Sequence, residues 1–295
     1  MIGRRPLLRM IGGLTLAGMG AAGYGFWIEP AWRLVVQDYA LVPPGWPRGL
    51  RATLAVLTDI HAADPQMPLR RLERIVAATN ALRPDLVVLL GDHFASGRFS
   101  GRAIPLAETA AVLRGLSAPL GVHGVLGNHD WWEDTEVQRL RGGLPWAART
   151  LSDAGLPVLH NSAVRLAPGF WLAGLGSLWA YRGGRRFSGA DDLDAAVAGV
   201  ADGEPVILLC HEPDIFPRVP ARVSLTLCGH THGGQVRLGG WSPVVPSIHG
   251  SRYAYGHVVE GGRHLIVSGG LGTSLLPVRL GVPPEITLVR LGEAV

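Results

Sequence analysis

Five short apolar runs in this chain each end in a cluster of aspartate, asparagine or histidine, and no other feature of the sequence constrains its fold as much. The clusters are Thr58-Asp59-Ile60-His61, Gly91-Asp92-His93, Leu126-Gly127-Asn128-His129-Asp130, Cys210-His211-Glu212 and Gly229-His230-Thr231-His232. A strand that delivers an amide, an imidazole or a carboxylate into the loop at its end builds a polar site on a sheet edge, where binding and catalytic groups concentrate.

The segments between the clusters say how the strands are joined. Residues 52–57 read as a buried strand. Residues 69–82 read as a helix, with Leu72, Ile75, Val76 and Leu82 at helical spacing and Pro84 closing it. A strand over 85–90, a helix over 104–116 and a strand over 121–126 follow. This order predicts a sheet with crossover helices and a ligand site at the carboxyl ends of its strands. Further on, 131–151 is predicted helical, with short strands over 157–159, 163–166 and 170–175. Residues 177–188 form a polar, arginine-rich loop, 191–200 a helix, and 205–209 and 224–227 strands that end in His211 and in His230 and His232. From residue 235 onward, short strands alternate with glycine and proline.

Residues 29–49 hold Pro30, Pro43, Pro44 and Pro47 around an alternating piece over 33–39, which predicts an edge strand and a stiffened connection. No repeat or linker interrupts 50–295. The expected organisation is an N-terminal signal or anchor over 1–28, the connection over 29–49 and one α/β domain over 50–295, its second half a second sheet packed on the first.

Asp59 and His61 lie two residues apart, as do His230 and His232, and in extended chain each pair would project to one side. With Asp92, Asn128 and His211 they make seven candidate metal ligands, all oxygen or nitrogen donors. Seven exceeds the three or four protein ligands of one catalytic ion and suits two divalent ions sharing a carboxylate. Such a set suits manganese, taken first here, or iron or zinc. Two ions about 3.5–4 Å apart can bridge and deprotonate a water and neutralise a phosphoryl group during in-line attack by the bridging hydroxide. His129 would point away from the metals toward substrate, as a proton donor to a leaving group, with Asp130 orienting it. His93, His123, His160, His249, His257 and His264 read as satisfied polar residues, and Glu212 and Asp64 as caps of local structure.

The chain contains no lysine, so its 27 basic residues are all arginine and its net charge is +4. Guanidinium groups suit anionic substrates or surfaces, although a GC-rich genome would produce the same bias. Arg182, Arg185 and Arg186, in the loop after Ser177, are the candidate substrate-binding cations. No basic stripe interleaved with aromatics marks a nucleic-acid surface. Cys210 and Cys228 read as small buried core residues.

Arg4-Arg5-Pro6-Leu7-Leu8-Arg9, followed by an uncharged, glycine-rich stretch over 10–28, resembles a twin-arginine export signal. The stretch is long enough to span a bilayer and no convincing cleavage site follows it. This predicts a single N-terminal anchor in a bacterial inner membrane with the catalytic domain periplasmic. The alternative is an interfacial helix that leaves the domain on the cytoplasmic face.

At the five clusters the chain resembles the calcineurin-like metallophosphoesterases, whose pattern runs D-x-H, G-D, G-N-H-D/E, H and G-H-x-H in that order. The resemblance spans residues 52–232. It implies a four-layer α-β-β-α sandwich of two mixed sheets with a dinuclear centre. It also implies one metal on Asp59, His61 and His232, the other on Asn128, His211 and His230, Asp92 bridging them and His129 as the acid. One departure is Ala95, where the family often has Asp or Asn. The anchor, the Gly229-to-Gln235 motif and the tail through Gly270-Leu271-Gly272-Thr273-Ser274, Pro277-Val278-Arg279 and Pro284-Glu285-Ile286 are similar to a membrane-anchored subfamily of phosphodiesterases. The expected activity is hydrolysis of a phosphodiester or pyrophosphate at the membrane, on a nucleotide-like or lipid-linked anionic substrate. The alternative is UDP-2,3-diacylglucosamine hydrolysis in lipid A biosynthesis, and a non-catalytic cell-envelope binding protein is a third reading.

Overall fold

The computed structural model describes residues 4–96, 99, 101–183 and 187–293. Helix α1 (Arg4–Gly23) continues through a wider turn (Tyr24–Ile28) into the short α2 (Glu29–Trp32). Then come β1 (Val35–Leu41), β2 (Ala52–Leu57), β3 (Ala63–Asp64), α3 (Leu69–Ala81), β4 (Leu86–Leu89), β5 (Arg102–Ala103), α4 (Leu106–Leu113) and β6 (Val122–Gly124). Three short helices follow, α5 (Asn128–Trp132), α6 (Thr135–Leu140) and α7 (Trp146–Asp153). The second half contributes β7 (Ser162–Leu166), β8 (Phe170–Gly174), α8 (Leu193–Val197), β9 (Val206–Leu209), β10 (Leu225–Cys228), β11 (Gly256–Glu260), β12 (Arg263–Val267) and β13 (Glu285–Leu291).

Two mixed sheets result, the α/β architecture expected from the sequence. The first runs β1-β13-β2-β4-β6, and the second β11-β12-β10-β9-β8-β7. Within them β2, β4 and β6 are mutually parallel, as are β8, β9, β10 and β12. The last strand, β13, inserts between the first two, parallel to β1 and antiparallel to β2.

Strand alternation divides the apolar interior into three seams. Leu54 and Val56 of β2 and Leu86 and Val88 of β4 face Leu172, Ile207 and Leu225 of the second sheet. Their neighbours Ala55, Leu57, Val87 and Leu89 point the other way, against Leu72 and Ile75 of α3 and Leu113 of α4. Val206 and Leu208 meet Val197 of α8 and Phe216. Strands buried on both faces have no polar side to show, so they read as unbroken apolar runs. Each such Leu, Ile or Val contributes about 1.5–3 kcal/mol by leaving water.

The predicted 131–151 helix is interrupted because Asp134 caps a new one, accepting hydrogen bonds from the N–H groups of Glu136 and Val137, and Arg141 ends it at φ 52°. The two cysteines are buried and unpaired.

The expected membrane anchor is overturned. No helix among the described residues is long and apolar enough to cross a membrane. Helix α1 has 20 residues, but three are arginine and five glycine, which removes the hydropathy a span needs. The inner-membrane placement and its orientation fall with it. The chain just after α1 is tied to the domain instead. Gly25 O accepts from Arg279 N at 2.9 Å, and the buried Glu29 carboxylate accepts from Val282 N at 2.8 Å.

Candidate metal centre

The carboxyl ends of β2, β4 and β6 meet those of β9 and β10, and the five loops are stitched together by their backbones. Asp59 N donates to Gly91 O at 3.0 Å, His61 N to Asp92 O at 3.0 Å and Gly229 N to His211 O at 3.0 Å. Across the two sheets, His230 N donates to Asp59 Oδ2 at 2.9 Å, and His211 Nδ1 lies 2.6 Å from Leu90 O.

The side chains converge differently from the extended-chain expectation. Asp59, His61, Asp92, His230 and His232 all have positive φ, between 43° and 69°. Left-handed backbone costs a non-glycine residue about 1–2 kcal/mol, so five instances in one site are strain held in place by the surrounding fold. The motif glycines let the loops approach each other. A Cβ on Gly127 would strike Asp92 Oδ1 and the His211 ring, and one on Gly229 would strike Thr58 Oγ1 and Asp59 Oδ2.

All seven candidate ligands are buried and lie in one cluster. Asp59, His61 and His232 form one triad of mutually close donor atoms, and Asp92, His211 and His230 another. His232 Nε2 stands 3.4 Å from Asp59 Oδ1, and Asp92 Oδ2 is 3.4 Å from His61 Nε2 and 3.2 Å from His211 Nε2. Two ligands of one ion, each at about 2.1 Å and about a right angle or a little more apart, have this spacing. The donors also fit a cation by what they lack. The Nε2 atoms of His61, His211 and His230 and the Oδ1 of Asn128 are buried without a hydrogen-bond partner. Buried polar groups are ordinarily satisfied, and four orphans aimed into one gap are the mark of a metal site.

Backbone carbonyls set two of the imidazoles. His61 Nδ1 faces Phe94 O at 3.2 Å, and His211 Nδ1 faces Leu90 O, so in each ring the proton sits on Nδ1 and Nε2 keeps its lone pair. His232 differs, because a guanidinium nitrogen of the fully buried Arg279 lies 3.3 Å from its Nδ1.

The electrostatics of the protein groups tell the same story. Burial pushes Asp59 up to about 6 against the pull of His211, with Asp92 adding to the rise. Burial takes His61 down to about 3. For Asp92 and His211 burial works against the charged forms, but their mutual attraction wins, holding the carboxyl well below its usual range and the imidazole well above.

His129 sits at the edge of the cluster, its Nε2 4.0 Å from Asp92 Oδ2 and 3.4 Å from Ser274 Oγ. Its orienting partner differs from the expected one. Asp130 makes no hydrogen bond to His129; it accepts from the backbone N–H groups of Asp92, His93, Phe94 and Gly127 and pairs with His93 Nδ1 at 3.0 Å. The His129 Nδ1 meets the Ser96 hydroxyl, one residue beyond the family departure at Ala95. Ser96 carries no motif in the sequence and was missed there, and Ser274 and Arg279 stood in the tail motifs without a role at the site. Glu212 does not cap the turn it precedes, as expected of it; its carboxylate accepts from Leu178 N at 2.9 Å and from Trp179 N at 3.3 Å and so holds a loop distant in sequence.

Of the three expected substrate-binding arginines, Arg182 lies 4.7 Å over the Trp132 ring, which in turn packs 4.9 Å from His129. Arg185 and Arg186 lie outside the described residues.

Residues 52–234 match the family model described as calcineurin-like phosphoesterase. The chain is 30% identical to the metallophosphoesterase YkuE of Bacillus subtilis (strain 168), over 98% of this chain and 97% of that protein. It is also 30% identical to the phosphodiesterase YaeI of Escherichia coli (strain K12), over 99% of this chain and all of that one. A metallophosphoesterase of Aquifex aeolicus (strain VF5) is 30% identical, over 88% and 92% of the two chains. The chain therefore belongs to the calcineurin-like phosphoesterase family and is a metal-dependent phosphoester hydrolase.

Proposed function

We propose that the protein hydrolyses a phosphodiester or pyrophosphate bond at this centre. The observation that carries the proposal is a set of three overlapping buried donor triads, Asp59-His61-His232, His61-Asp92-His129 and Asp92-His211-His230, with orphaned nitrogens on His61, His211 and His230. Asp59, His61 and His232 would hold one divalent cation, Asn128, His211 and His230 the other, and Asp92 would serve both. Manganese is the ion we assign first. When bound, the two ions supply charge neutralisation for a phosphoryl group and activate a water for in-line attack.

The remaining work falls to the chain. The Asp92 carboxylate is anchored by His129 N, 2.8 Å from its Oδ1, which leaves Oδ2 turned to the histidines. His129 holds a proton on Nε2 for the departing oxygen, with Nδ1 fixed by Ser96. Arg182, braced on Trp132, offers a cation to the substrate anion, and Arg185 and Arg186 are assigned the same part. The three apolar seams support a four-layer sandwich as the rigid frame of these loops.

The test is manganese-dependent hydrolysis of bis-p-nitrophenyl phosphate by the full chain beside Asp92→Ala, with bound metal counted in both. Activity that requires the metal and disappears in the variant supports the proposal. Neither activity nor bound metal in the native chain overturns it.

A further inference from the structure

The ligand cluster is the floor of a cavity of about 500 Å³, and the walls above it are of opposite character. On one side Phe187 stacks between two tryptophans, 5.1 Å from Trp132 and 4.9 Å from Trp179 between ring centres. These rings reach the floor, since Trp179 abuts His230 at 4.6 Å and Trp132 abuts His129 at 4.9 Å. The facing wall is aliphatic, with Val244, Leu275 and Leu276 among its members. Leu275 is 68% exposed and Val244 67%, so their apolar surface stands in water at the rim of a catalytic site.

Hydrolysis of a small polar phosphoester needs none of this. Contiguous apolar surface beside a polar floor marks a ligand that is apolar at one end, because burying it regains about 25 cal/mol for each Å² removed from water. Sugar hydroxyls set against Phe187 and Leu276 would leave water without a partner. Among the described residues that line the cavity there is no arginine, and Arg182, beside the Trp132 ring, faces Glu133 at 3.9 Å.

We infer that the substrate is a phosphoester bearing a large apolar group, alkyl or aryl, held between the stacked aromatic rings and Leu276 while the phosphoryl group rests on the floor. The inference rests on the hydrolytic reading above and specifies its substrate. Water adds to phosphorus, the ester P–O bond breaks and the departing alcohol takes up a proton.

The test is calorimetric binding of methyl, hexyl and phenyl phosphonate to the manganese-loaded full chain. Hexyl or phenyl phosphonate should bind at least about thirtyfold more tightly than methyl phosphonate. A gain for phenyl alone identifies an aryl group, and a gain for hexyl alone an alkyl chain. Phe187→Ser and Leu276→Ser should narrow the ratio to below about threefold. Equal affinities for the three ligands overturn the inference. Turnover of methyl p-nitrophenyl phosphate, followed in the same samples, separates the two readings. Turnover with equal affinities removes only the apolar-group assignment, whereas graded affinities without turnover remove only the hydrolytic one.

Discussion

The Asp130 carboxylate accepts a hydrogen bond from the backbone N–H of Asp92 at 2.9 Å, and it also accepts from Gly127 N at 3.0 Å. It therefore fastens the loop after β4 to the loop after β6 and sets where the Asp92 side chain begins. The first expected outcome follows from that clamp. Asp130→Asn should weaken metal binding about 10–100-fold, and Asp130→Ala should in addition destabilise the fold by at least about 3 kcal/mol. His129→Gln should instead lower kcat by about 10²–10⁴ with metal content unchanged. Metal titration alongside kcat separates the two residues; the same loss of kcat with full metal in both would make Asp130 part of the acid step after all.

Metal removal should loosen the protein through four named atoms. Without a cation, His61 Nε2, His211 Nε2, His230 Nε2 and Asn128 Oδ1 have no buried partner. At a manganese concentration about 100 times Kd, each bound ion adds about 2.7 kcal/mol, or roughly 5–10 °C in Tm for a domain this size. Thermal melting with chelator and with manganese measures the difference. Asp92→Ala should melt at the same temperature in both.

Six of the seven candidate ligands stood out because each is tied to a glycine or to a second candidate at fixed spacing, local patterns that need no knowledge of the fold, whereas His211 stood out only as the histidine ending an apolar run. The physical reason first given for them was wrong. Asp59 and His61 converge through left-handed backbone, at φ 53° and 43°, and not through the alternation of a strand. Asp130 shows the limit of such reading, since its partners around Asp92 lie 36 to 38 residues away and are backbone groups that no residue type announces. Ser96 is invisible for the same reason, and Arg279, though part of a tail motif, gave no sign of its place beside His232. The anchor failed on quantity, because a basic and uncharged pattern was present but glycine had diluted its hydropathy.

Glycine at the loop contact gives a sharper test of close approach. Gly127→Ala places a methyl group against Asp92 Oδ1 and the His211 ring, neither of which can retreat without leaving the cluster. Metal binding should be lost while the far-UV spectrum stays native. Gly142→Ala is the control, because its nearest neighbour is Leu140 O at 4.0 Å, and it should be neutral or stabilise by up to about 1 kcal/mol. Native metal affinity in Gly127→Ala would show that the two loops are not packed flush.

Arg279 is the last residue with a distinct expected outcome. Burial takes its guanidinium down to about 10, yet it is bonded to carbonyls and not to a carboxylate. Its Nε donates to Gly272 O at 2.8 Å, one terminal nitrogen to Val282 O at 3.0 Å, and the other stands beside His232 Nδ1. Gly272 N in turn donates to Asp59 O at 2.6 Å. One fork thus positions both an aspartate and a histidine of the same triad, and a lysine ammonium cannot reproduce that geometry. Arg279→Lys should weaken the cation held by Asp59, His61 and His232 and spare the one held by Asn128, His211 and His230. A manganese titration should then resolve one tight and one weakened step where the native chain shows two tight ones. Equal weakening of both steps would mean that Arg279 only supports the fold, because loss of general rigidity has no reason to prefer one half of the centre.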